Sequence, residues 1–377
     1  MRLHDRINFS PYFNGWFFGI VFTLIIAGLI STYSRPLTSG HLKDWSDEVT
    51  TNDLLVRILQ TENHYFYHGT EESWPYSLSD LAFAFFTNVK PTDIRTFLGR
   101  ELPGYSIFDT EIVVAGEGTD FTTLPIESAP PMEVLLKERE IAEEKLQTEE
   151  NETTPIAPGK RPVLTYHTHS WESFMPLLKG VTEPVNAVSS SEKVNVVGVG
   201  KMLADALNQK GIGTEHDTTN MTEKLFENNL DYYDSYTLSR KIVQEAMATN
   251  SDLNFLIDIH RDASERKITT KVINGKSYAK IFFVVGKEHK NYEQNLQVAM
   301  DLDKKLKEKY PGISRGVLKK GKNEGNGVYN QDLSDRALLV EFGGVENEWS
   351  ELQNSVEAFA DIFSEYYLEA EAVNGTP

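Results

Sequence analysis

Apolar and polar residues alternate along this chain in three different regimes. No charged residue falls between Arg6 and Arg35, and residues 16–30 are apolar on every face of a helix. That stretch is long enough to cross most of a bilayer. Arg2 and Arg6 precede it, which keeps the N-terminus in the cytoplasm and puts everything after Arg35 outside. A cleaved signal peptide is the rival reading. Residues 30–34 lack a small-x-small cleavage site, so residues 1–35 are expected to be an uncleaved single-pass anchor in the cell membrane.

The second regime covers residues 36–111. Leu54, Leu55, Ile58 and Leu59 recur at helical spacing, as do Leu78, Leu81, Ala82 and Phe85. A small, mainly helical membrane-proximal domain is expected here, with its aromatic residues in a core. Residues 112–160 carry Pro125, Pro130, Pro131, Pro155 and Pro158 around a Glu-rich run. This is linker composition, with one short charged helix expected near residues 132–146.

From Arg161 the pattern alternates between short apolar runs and amphipathic stretches. Strands are expected at 163–166, 253–259, 278–285 and 337–342, and helices at 195–209, 236–249 and 291–310. Val196, Val199, Leu203, Ala206 and Leu207 share one face of the first helix, with Gly211 just past its end. Pro311 and Gly312 stop the third helix. Asn347 is expected to cap a last helix that buries Leu352, Val356, Phe359, Phe363 and Tyr367. Such alternation predicts an α/β domain over 161–377, a mostly parallel sheet with helices on both faces and ligands gathered at the carboxyl ends of its strands.

Composition narrows the function. A net charge of -19 argues against a nucleic-acid partner, because phosphate binding needs clustered Lys and Arg. Cysteine is absent, so any metal must be held by His, Asp or Glu. Gly198 and Gly200 do not form a nucleotide loop, since they lie inside a predicted helix and lack the third glycine.

Three strand ends carry chemistry. The first runs into His167, His169 and Glu172; the second ends in Asp258-Ile259-His260-Arg261-Asp262; the third ends in Glu341-Phe342-Gly343-Gly344. A lone His at a strand end is usually a hydrogen-bonded structural residue, but this many groups at three strand ends point to a metal site. Three protein ligands with one open position is the catalytic arrangement of zinc. His167 and His169 share a face of an extended segment, so either could reach the metal. The glycine-bearing loop 321–327, with Asn326, Tyr329, Asn330 and Asp332 nearby, reads as substrate-facing.

These residues resemble the stage II sporulation protein P family of endospore-forming bacteria, related to zinc-dependent N-acetylmuramoyl-L-alanine amidases. The carrying motifs are Tyr166-His-Thr-His-Ser-Trp-Glu-Ser173, Asn195-Val-Val-Gly-Val-Gly200, Asp258-Ile-His-Arg-Asp-Ala263, Tyr329-Asn-Gln-Asp-Leu-Ser334 and Leu339-Val-Glu-Phe-Gly-Gly344. The resemblance spans about residues 161–367. It implies an extracytoplasmic enzyme that removes stem peptides from peptidoglycan glycan strands, with a second endopeptidase activity on cross-links as a further expectation. It implies a role in septal remodelling and forespore engulfment alongside sporulation proteins D and M.

Carried over residue by residue, the resemblance makes His169 and His260 zinc ligands and Glu172 the third, with Glu192 as the runner-up. Glu341 becomes the general base. Arg261 and Asp262 either orient His260, steady the substrate or form a plain salt bridge. The rival readings are a catalytically inactive amidase-like module that binds peptidoglycan or recruits a partner, and a zinc sugar deacetylase.

Overall fold

The computed structural model describes residues 110–125, 129–146, 159–322 and 325–374, all within one compact unit spanning 82–377. The expected anchor at 1–35 and nearly all of the helical segment at 36–111 lie outside the described residues. No helix among the described residues is long and apolar enough to cross a membrane.

Nine strands alternate with helices: β1 (Glu111–Ala115), β2 (Val163–Tyr166), α1 (Val196–Gln209), β3 (Thr214–His216), α2 (Met221–Glu227), α3 (Ser235–Thr249), β4 (Phe255–Asp262), β5 (Thr270–Ile273), β6 (Lys276–Ala279), β7 (Ile281–Gly286), α4 (Tyr292–Lys309), β8 (Ser314–Lys320), β9 (Arg336–Gly344) and α5 (Trp349–Asn374). Seven of them form one sheet in the order β1-β8-β7-β9-β4-β2-β3, and β5 and β6 pair separately. All eight residues of the central strand β4 are buried, as expected for a strand covered on both faces.

Strand alternation divides the core. Val163, Phe255, Ile257, Ile259, Leu338 and Val340 pack with residues of α1, α4 and α5. Leu164, Tyr166, Leu256 and Ala337 pack with Val243 of α3 on the opposite face. Side chains two apart share a face, so Asp258 and His260 of β4, and Leu339 and Glu341 of β9, face the α3 side.

The sheet is mixed rather than mostly parallel. β3, β2, β4 and β9 are mutually parallel, but β7 runs antiparallel to β9, and β1 antiparallel to β8. A parallel return would need a crossover to the other end of the sheet. The chain instead leaves β4 into the β5–β6 hairpin, so β7 starts where β4 and β9 end, with Ile281 opposite Phe342. The expected strand at 278–285 is correspondingly split at Lys280 into β6 and β7. Asn274 and Gly275 both take positive φ (50° and 79°), the requirement of a tight hairpin turn of type I′.

β1 falls in the segment read above as linker. It pairs with β8, and Leu124 just beyond it packs on Phe282 and Leu318. Farther along, Met132–Leu135 is a short helical turn whose Leu135 packs with Trp171.

The helices start and stop largely for the reasons visible in sequence. Asn195 Oδ1 accepts hydrogen bonds from the Val197 and Gly198 amides at the start of α1. Gly211 follows its end with φ at 82°. Asn347 does not cap α5 as expected. Its Oδ1 accepts from the Gly344 amide, and its Nδ2 donates to Thr270 and to Glu351 of the first turn of α5. The asparagine thus ties the turn after β9 to the helix.

Candidate metal centre

β2 delivers His167 and His169, and the chain then turns so that the Glu172 amide donates to the His169 carbonyl over 3.1 Å. Glu172 is fixed from behind by α1, since the Val196 amide donates to its carbonyl over 2.9 Å. Beside this loop, β4 presents His260. His169, Glu172 and His260 are all buried and can each offer a ligand atom within 4.8 Å of the others. Glu172 Oε1 lies 3.5 Å from His169 Nδ1, and Oε2 lies 3.5 Å from His260 Nδ1.

This donor set fits a metal ion. Two imidazoles and a carboxylate, buried and converging, match the three-ligand form of a catalytic zinc centre. Burial disfavours the charged carboxylate of Glu172. The hydrogen bonds from His169 and His260, with the charges of His260 and Arg261, outweigh it and hold the carboxyl well below its ordinary range. The Arg261 amide also donates to Glu172 Oε2 over 3.0 Å.

A surrounding layer orients the ligands. Asp258, two residues before His260 on the same strand face, places Oδ1 3.1 Å from His260 Nε2. Trp171 and Tyr232 lie against the His169 ring, with centroids at 5.0 and 4.7 Å. Tyr236, in the first turn of α3, stacks on His260 at 14°.

Glu341 sits directly beside His260 in the β4–β9 register. Its Oε2 is sealed from solvent and has no hydrogen-bond partner among the described residues. Burial pushes the carboxyl up to about 8, with His260 pulling down and Glu172 and Asp262 pushing further up. Glu172, His260 and Glu341 line one cleft of about 300 Å³, together with Tyr236, Tyr329 and Lys320.

The remaining predicted residues are placed as follows. His167 is buried and turns away, its Nε2 3.1 Å from His216 Nε2. Glu192 is exposed and outside the group. Arg261 donates through Nε and Nη2 to the carbonyls of Ser173 and Ala187, bracing the ligand loop. Asp262 forms a buried ion pair with Arg315 at 2.5 Å. Asn330, left-handed like Tyr329 before it, donates Nδ2 to the Tyr236 carbonyl and Ser239 Oγ, anchoring its loop to α3.

Sequence reasoning passed over Asp258, Lys320, Tyr232 and Tyr236. Asp258 had a readable signal, because residues two apart on a strand share a face. The others reach the site through topology alone.

Fold and site together define an α/β protein with a buried His–Glu–His group that could hold a metal ion. Comparison narrows the class. The family model for stage II sporulation protein P (SpoIIP) matches residues 92–364. Stage II sporulation protein P of Bacillus subtilis (strain 168) is 48% identical over 366 residues, covering 94% of this chain and 90% of the relative. The chain belongs to the stage II sporulation protein P family. Two solved structures from Clostridium difficile show weaker likeness, each at 16% identity. The N-acetylmuramoyl-L-alanine amidase of strain 630 aligns with 58% of this chain and 100% of its own at a TM-score of 0.34. Cwp6 aligns with 57% of this chain and 29% of its own at a TM-score of 0.31. Likeness at that level fixes neither fold nor activity.

Proposed function

We propose that this chain is a membrane-anchored, zinc-dependent peptidoglycan hydrolase that cleaves the amide between N-acetylmuramic acid and the L-alanine of the stem peptide. The reading extends to an extracytoplasmic site of action, a role in septal remodelling and forespore engulfment with sporulation proteins D and M, and a second activity on peptide cross-links. Family membership supports the sporulation role.

The observation that carries the chemistry is the pairing of His260 with Glu341 across β4 and β9, one beside the His–Glu–His group and the other with an unsatisfied, buried Oε2. When bound, zinc supplies Lewis acidity for a carbonyl and lowers the pKa of a water toward about 7. His169, Glu172 and His260 would hold it. Glu341 takes the proton of the attacking water on Oε2 and returns it to the leaving nitrogen of L-alanine, the work of a base whose pKa lies near the operating pH. Asp258 keeps His260 in the tautomer that leaves Nδ1 for the metal. Trp171 and Tyr232 exclude water from the His169 side.

Mass spectrometry of peptidoglycan digested by the full-length chain in detergent tests this reading, with metal content measured in parallel. Stem peptides beginning with L-alanine are expected from the wild type and not from Glu341→Ala, which retains its zinc. Intact muropeptides from folded protein would point to a binding module, and released acetate to a deacetylase.

A further inference from the structure

The cleft beside the metal group has a second polar end. Lys320, the last residue of β8, is 9% exposed and lines the cleft with Glu172, His260 and Glu341. Its ammonium makes no hydrogen bond or ion pair with any described residue. Lysine is seldom buried unless it is paired, because a desolvated cation without a partner is costly. The chain carries a net charge of -19, so this cation is a local feature and not part of a basic surface.

The register locates it. Glu341 pairs with Phe282 on β7, and Lys320 pairs with Gly286, four residues farther along the same strand. At about 3.3 Å per residue the two backbones are offset by roughly 13 Å, and the four-carbon stem of Lys320 recovers part of that distance. Between them Val284 and Leu339 pair across β7 and β9 and give the cleft an apolar floor. From the metal group outward the cleft therefore offers a reacting centre, an apolar step and a cation.

A stem peptide has the matching order. Its first residue carries a methyl group. The second is a glutamate joined onward through its side chain, which leaves its α-carboxylate free. Two extended residues span at most about 7 Å. We infer that Lys320 is a specificity-determining residue that binds this α-carboxylate while the alanine methyl rests on Val284 and Leu339, so that stem peptides amidated at that position are poor substrates. The inference rests on the muramoyl amidase reading given above.

Two muropeptides that differ only in carboxylate or carboxamide at the second residue provide the test, with wild type, Lys320→Gln and Lys320→Arg compared. Losing one charge-assisted hydrogen bond corresponds to about 10- to 100-fold in kcat/KM. The wild type is expected to favour the carboxylate by that factor, mainly through KM. Lys320→Gln removes the preference by slowing only the carboxylate substrate, and Lys320→Arg restores part of it with an unchanged melting temperature. Equal wild-type rates on the two substrates would overturn the proposal. So would an equal loss on both in Lys320→Gln, which would make the residue a counter-ion of Glu341. Cleavage of neither substrate would sink the amidase reading instead. Calorimetric titration of the same muropeptides into wild type and Lys320→Gln then decides the Lys320 claim, through the presence or absence of a carboxylate preference.

Discussion

Asp258 Oδ1 stands 3.1 Å from His260 Nε2 while the same carboxylate accepts the amide and hydroxyl of Thr168 at 2.9 and 2.5 Å. The carboxylate is thus fixed before it meets the imidazole. With Nε2 turned to Asp258, His260 presents Nδ1 to Glu172 and the metal group. Such partners of a ligating histidine are typically worth about 10- to 100-fold in metal affinity. Asp258→Asn should weaken zinc binding by that factor, read by competition with a chromogenic chelator. An unchanged affinity would show that His260 does not depend on this contact.

Arg315 and Asp262 form a buried ion pair behind the site, with the guanidinium over the Phe282 ring at 4.9 Å and a further hydrogen bond to the Thr123 carbonyl. Replacing one member of such a pair leaves a buried charge uncompensated, at a cost of about 3–5 kcal/mol. Arg315→Met should lose about that much stability in urea denaturation. Arg315→Met combined with Asp262→Leu should lose less than Arg315→Met alone.

Gly198 lies inside α1, where an added Cβ would stand 2.0 Å from the Glu192 carbonyl oxygen and 2.7 Å from Trp349 Cη2. Alanine at an exposed helical position would be favourable by about 1 kcal/mol. Here overpacking of about 1–3 kcal/mol or more opposes it, because backbone must move. Gly198→Ala should lower the melting temperature by several degrees in a calorimetric scan.

His216 is largely buried beside His167, and burial followed by the Lys201 charge lowers its pKa from 6.5 to about 4. Below pH 6.5 the unfolded chain therefore takes up this proton more readily than the folded one. The stability associated with neutral His216 is complete above that pH and is lost as the pH falls from about 6.5 toward 4. His216→Asn should flatten the acid limb of a stability profile over that window and leave pH 8 less affected.

Much of this arrangement could be read before any coordinates. β2, β4 and β9 are covered on both faces, so they appear as continuous apolar runs, and the polar residues that end them stand out. That made His169, Glu172, His260 and Glu341 visible. The direction of β7 was not visible, because it depends on the absence of a crossover after β4. Asn274-Gly275, a strong hairpin signal, stood unread beside it. β1 escaped because five half-exposed residues near a proline-rich stretch look like linker. Lys320 ends a strand with alternating polar residues, and nothing local distinguishes it from Lys319, which reaches out to Glu111.

The pairing of β1 with β8 also sets where an autonomous fragment can begin. A truncation at residue 161 would strip away β1 and bare the backbone amides and carbonyls of residues 316–319, an open template for cross-chain strand addition. It would take the Thr123 carbonyl from Arg315 as well. The minimal folding unit accordingly starts upstream of Glu111, and the proline-rich stretch is an internal excursion of that unit rather than a tether in front of it.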